Sequence, residues 1–114
     1  ESSFTLGTAD LTTDLSFENS DNVTHLLVEG FSGASGDDLD IDDDGILDVT
    51  PWTAVIDCIS ILENPIDPVT GQTTGGELVY CSTTVGPDGT FVPGHVVRCP
   101  DGNGDWEIQS FYAP

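Results

Sequence analysis

The chain has 114 residues, 37% of them hydrophobic, and its charge is one-sided: 21 Asp and Glu stand against a single Lys or Arg, for a formal net charge of -20 at pH 7. That balance excludes nucleic acid and anionic membrane surfaces as partners, because one cationic side chain, Arg98, cannot neutralise a phosphate backbone. The hydrophobic fraction excludes wholesale disorder, no apolar run approaches the roughly 20 residues of a membrane span, and the length suits one domain, residues 1–114, able to bury a core of two packed sheets.

Residues 1–18 alternate apolar and polar side chains irregularly (Phe4, Leu6, Leu11, Leu15, Phe17), which predicts short β-structure broken at Gly7 and Asp10. Glu1 opens on polar residues rather than on a basic and apolar signal segment, so an export signal is expected to have been removed or to lie upstream. A turn cluster covers 19–22, and Asn22, Val23 and Thr24 form a glycosylation sequon. The segment 24–30, THLLVEG, predicts a strand whose Leu26, Leu27 and Val28 suit a central position covered on both faces. Ser32 stands in G-F-S-G, near a nucleophile elbow, but Ala34 replaces the last glycine and no strand-turn-helix context surrounds it.

Residues 37–48 read DDLDIDDDGILD and hold seven acidic side chains in twelve positions. With Gly45 placed at the sharp turn of an EF-hand-type loop, Asp40, Asp42 and Asp44 fall on ligand positions one, three and five, Ile46 on the backbone-carbonyl position and Asp48 on position nine. Alternate residues of a curling loop point inward, and the glycine permits the turn that closes the curl. Carboxylates so crowded repel one another unless a cation neutralises them, and Ca²⁺ takes six to eight hard oxygens. Position twelve is Pro51, so the shell needs a carboxylate from elsewhere, with Asp37, Asp38 and Asp57 the nearest donors, or water. The competing reading is a solvated acidic loop. It leaves Gly45 at that offset and the apolar Ile46 and Leu47 unexplained.

Beyond the loop, Pro51 and Trp52 precede 53–62, TAVIDCISIL, the longest apolar stretch, whose β-branched content predicts the core strand. Asp57 interrupts it, either as the remote calcium ligand or as a satisfied buried polar group. Residues 63–76 hold two prolines and three glycines and read as loop. A strand is expected over 77–85, then a GPDG turn with Pro at the second position, a hairpin partner over 91–99, and a last strand over 106–112 after a second turn at 100–102. Asp101, Asn103 and Asp105 have ligand spacing but no turn glycine after Asp105. About seven short strands with turn signals between them and no helical periodicity predict an all-β chain, a β-sandwich.

Three cysteines, Cys58, Cys81 and Cys99, allow one internal disulfide in three ways. Cys58 with Cys81 is favoured, since both are expected mid-strand on either side of a turn-rich connection. All three as small buried hydrophobes is the alternative. Zinc held by the cysteines with His25 and His95 lacks any CxxC or HxxxH spacing.

The DxDxDGxxD core resembles the calcium loops of dockerin and thrombospondin type 3 repeats. More broadly, THLLVEGFSGASGDDLDIDDDGILDVTPWTAVIDCISILE, the VGPDG turn and FVPGHVVRCPDG resemble a bacterial branch of the lamin-tail-like domains, over about two thirds of the chain. The resemblance implies a compact immunoglobulin-like β-sandwich of the kind appended to secreted and surface proteins, including some extracellular nucleases. It also implies a non-catalytic, structural or adhesive role. The chain enters the resemblance inside the family's second or third strand, so the opening strand is expected to be missing and the sheet edge open to strand addition from a neighbour.

The sequence therefore points to a secreted calcium-binding β-sandwich, self-associating through that edge as an extracellular filament or matrix subunit. The alternative is an accessory module from a secreted nuclease or other hydrolase, binding a surface polysaccharide or protein. An exposed row of Trp52, Trp106, Phe111 and Tyr112 would serve the alternative, whereas aromatics in a small sandwich commonly fill the core. A free-standing enzyme is not expected: two histidines, one Arg and no Lys leave few acid-base groups.

Overall fold

A computed structural model describes residues 11–17, 20–99 and 104–109. The described residues are all β, with no helix. Five strands follow in order: β1, Val23–Glu29; β2, Ala54–Ile61; β3, Thr84–Val85; β4, Val96–Cys99; and β5, Asp105–Ile108. They form a three-stranded sheet, β1-β2-β3, and a two-stranded sheet, β4-β5.

β1 and β2 lie antiparallel, with Val23 opposite Ile61, His25 opposite Ile59 and Leu27 opposite Asp57. Because side chains alternate along a strand, these pairs share one face, while Thr24, Leu26, Cys58 and Ser60 share the other. On the first face Ile59 and Ile61 are buried with Val85 and Val92, and Val23, Val96 and Trp106 pack against them. The small β4-β5 sheet therefore covers one side of β2. On the second face Thr24 Oγ1 meets Ser60 Oγ at 2.8 Å, and Ser60 is fully buried. β2 is thus the central strand, buried on both sides towards its C-terminal half.

Several sequence expectations change. Among the described residues β1 is at the edge of its sheet rather than at its centre, and its Leu27 is 60% exposed. Residues 11–17 form no strand, and the rest of the expected opening β-structure lies outside the described residues. The strand expected over 77–85 is reduced to β3, which pairs parallel with Ser60 and Ile61 of β2 and not with 91–99. The reason is that the segment before it satisfies its backbone by side chains: Val79 N–H donates to Gln72 Oε1 at 2.8 Å and Cys81 N–H to Ser60 Oγ at 3.2 Å. Pro93, which has no N–H to give a ladder, shortens the expected 91–99 strand to β4, and β4 pairs with β5. The tight turn runs over 88–91, where Asp88 and Phe91 exchange two backbone hydrogen bonds, so Pro87 precedes it. The seven expected strands are five among the described residues; residues 110–112 of the expected last strand lie outside them.

The structure joins Cys58 to Cys81, with Cα atoms 6.0 Å apart. Cys58 sits in β2 as expected, but Cys81 lies in the irregular segment before β3. Asn22 is absorbed into the fold: its Nδ2 donates to Thr73 Oγ1 at 3.3 Å, and its Oδ1 accepts from Glu63 N–H at 2.9 Å. The sequon's amide is therefore a tether between the start of β1 and the 63–77 loop.

Candidate metal centre

The acidic loop folds over the second face of the β1-β2 pair, where Thr24 and Leu26 of β1 line a cavity of about 250 Å³ with Asp37, Asp38, Leu39, Asp40, Leu47 and Tyr80. Two of its apolar residues, Leu39 and Leu47, line this cavity against β1, whereas Ile41 and Ile46 are exposed. The loop is closed at its neck by Asp48 N–H and Val49 N–H, both donating to Leu39 O, at 2.8 and 3.1 Å.

Asp40 is the internal anchor. It is only 4% exposed, and its carboxylate accepts from Tyr80 OH at 2.8 Å, from Gly45 N–H at 2.9 Å and from Asp44 N–H at 3.2 Å. Burial pushes its pKa up, but these donors more than offset that and hold the carboxyl below its ordinary value. Gly45 takes φ +88°, the left-handed region, which brings its N–H round to Asp40, and a Cβ there would meet the Gln72 amide. The opposite neighbour of the hydrogen bond responds in kind: burial, the bond to Asp40 and the charges of Asp40, Asp43 and Asp38 push Tyr80 up to about 12.

Carboxylate oxygens of Asp40, Asp42 and Asp48 all lie within 4.8 Å of one another. Asp42 and Asp48 are solvent-exposed while Asp40 is buried, so the group is a half-open bowl with its floor on Asp40. The charge of Asp44, then burial, then the charges of Asp48 and Asp40 raise the Asp42 pKa. This is the repulsion expected when anions are packed by a folded backbone without a counter-charge. Asp48 is further fixed by accepting from Ile41 N–H at 2.8 Å.

The other sequence candidates divide. Asp44 borders the group through its charge and caps its own loop, its Oδ1 accepting from Ile46 N–H at 2.8 Å. Ile46 is 69% exposed at the loop tip. Asp38 lines the cavity beneath, and Asp37 accepts from Ala34 N–H at 2.7 Å, holding the loop's entry. Asp57 is placed differently from the remote-ligand reading: the alternation of β2 puts it on the first face, away from the loop, where it forms an ion pair with Arg98 of β4. Arg98 also donates from Nε to Gly104 O at 2.7 Å and lies 5.9 Å from the Trp106 ring centroid, so the only cationic side chain in the sequence links the two sheets. Asp101 and Asn103 lie outside the described residues. Tyr80 and Gln72 were not singled out from the sequence; 40 residues separate Tyr80 from Asp40, and nothing local marks it.

Comparison with protein-family models, with curated proteins and with solved structures finds no match for this chain.

Proposed function

We propose that this chain is a non-catalytic extracellular calcium-binding module with a structural or adhesive role, built as an immunoglobulin-like β-sandwich of the lamin-tail-like kind. One observation carries the reading: carboxylate oxygens of Asp40, Asp42 and Asp48 converge within 4.8 Å. That separation lets one hard cation touch all three, with carbonyls and water completing the shell, and relieves the repulsion that raises Asp42. The cation's role is structural. It pins the loop that connects the end of β1 to the start of β2, holding the two strands in register. A disulfide suits an oxidising compartment, and a net charge of -20 suits a medium rich in cations. Self-association through β1 is supported by its place at the sheet edge and by the exposure of Leu27.

A second reading, an accessory module of a secreted nuclease or other hydrolase, draws on a groove of about 510 Å³ lined by Leu26, Leu27, Val28, Phe31, Leu39 and Trp52. A surface polysaccharide or protein segment would dock there.

Thermal unfolding in excess Ca²⁺ and in chelator, with light scattering on the same samples, tests both. At a hundred times its dissociation constant Ca²⁺ adds about 2.7 kcal/mol, which raises Tm by about 11 °C for a chain of this length. Asp42→Asn removes that response. Equal melting of the wild type in both media refutes the calcium site. Growth in particle size with Ca²⁺ supports assembly, and monomer in both media refutes it in favour of the accessory module.

A further inference from the structure

We propose that the Cys58–Cys81 disulfide sets the calcium affinity of the 37–48 loop, acting through the side chain of Tyr80. This rests on the calcium reading above and adds the regulation of that site.

The contacts form a short relay. Cys81, 4% exposed, is fastened to β2 by the disulfide to Cys58 and by its N–H on Ser60 Oγ at 3.2 Å. Tyr80 is its neighbour in the chain and donates its hydroxyl to Asp40 Oδ2 at 2.8 Å. Asp40 in turn gathers the amides of Asp44 and Gly45, which shape the bowl. Residues 45–47 and 79–82 face each other across a cleft of about 390 Å³, so the disulfide-bearing segment forms one wall beside the loop's turn. Residues 77–82 belong to no strand, the β2 ladder beginning where Thr83 O accepts from Ser60 N–H at 2.9 Å, and the disulfide is the one covalent link from this segment to β2 among the described residues.

Tyr80 is a positioning residue. Its hydrogen bond orients the carboxylate that forms the floor of the site, and outer partners of this kind are worth roughly ten- to a hundredfold in metal affinity. Reduction by a dithiol transfers two electrons and two protons to the sulfur pair. It leaves thiols at Cys58 and Cys81 and the dithiol as its own disulfide. The segment carrying Tyr80 then regains conformational freedom, Asp40 loses its fixed donor, and calcium affinity falls. Coupling between two sites is reciprocal, so Ca²⁺ must also oppose reduction of this disulfide by the same factor.

Calorimetric titration of the oxidised wild type and of Tyr80→Phe with CaCl₂ gives the first arm. The second is the equilibrium with dithiothreitol, with and without Ca²⁺, read by alkylation of Cys58 and Cys81. The expected results are a loss of about tenfold or more in Tyr80→Phe and a matching Ca²⁺ protection of the disulfide in the wild type that shrinks in the variant. Tyr80→Phe keeps the disulfide, so the test does not depend on a cysteine-free chain folding. A wild type that binds Ca²⁺ while Tyr80→Phe binds equally well, or while both proteins show the same Ca²⁺ protection, overturns the coupling and leaves the calcium reading standing. A wild type that binds no Ca²⁺ overturns both.

Discussion

Replacing both bridging cysteines by alanine, Cys58→Ala/Cys81→Ala, has a cost that follows from where the bridge sits. The bond joins residues 23 apart in sequence, and the loop-closure relation for that length gives about 3.4 kcal/mol at 25 °C through the unfolded chain's regained freedom. For a chain of 114 residues this corresponds to a Tm lower by about 14 °C. The buried side of the bridge adds to the loss, since Cys81 is 4% exposed and alanine leaves unfilled space beside Ser60. Urea unfolding of both proteins in chelator, followed by far-UV circular dichroism, measures it. The variant's m-value should also rise, because an uncrosslinked chain exposes more surface on unfolding. A loss below about 1 kcal/mol with an unchanged m-value would refute the reasoning, since the 62–80 connection would then be restrained in the unfolded state by something other than the bridge.

Three further outcomes follow from other parts of the molecule. Arg98→Met removes the ion pair with Asp57 and should cost about 1 kcal/mol in urea unfolding; the two side chains are 29% and 39% exposed, so water screens much of the attraction, and no loss at all would show that the sheets are held by apolar packing alone. Gly45→Ala forces a side chain into φ +88° against the Gln72 amide and should destabilise the chelated protein by about 1–2 kcal/mol, measured the same way; an unchanged midpoint would refute the assigned turn. His25 is half-buried, with the Phe17 ring edge-on at 5.2 Å, and burial lowers its pKa from 6.5. The unfolded chain therefore binds the proton more readily than the folded one, so His25's contribution is complete above pH 6.5 and is lost as pH falls from there through its folded pKa. His25→Leu should flatten that part of the stability-pH curve, and an identical slope in wild type and variant would refute the assignment.

Much of the fold was legible because its signals are local. The runs over 24–30 and 53–62 became β1 and β2 with boundaries within a residue of those read from β-branched content and the flanking glycine and proline. The acidic loop's turn was legible too, because a left-handed backbone at Gly45 is a property of that residue and its spacing from Asp40. The expected pairing of 77–85 with 91–99 failed for a non-local reason. Val79 N–H and Cys81 N–H are taken by the side chains of Gln72 and Ser60, so the ladder that a β-rich segment offers was given up to side chains.

The sequence by itself determined that the described residues are all β, that acidic side chains outnumber Lys and Arg 21 to 1, and that the carboxylates of 37–48 sit on a loop with a glycine at its turn. These are matters of composition, alternation and backbone freedom, each contained within a dozen residues. Tertiary structure alone decided that Asp57 pairs with Arg98 of β4 rather than with the loop, that Asp42 and Asp48 gather with a buried Asp40, and that Tyr80 holds that carboxylate from 40 residues away. A strand's two faces are equivalent until something packs on one of them. Once β4 and β5 covered the first face, the loop and the disulfide-bearing segment were left to cover the second.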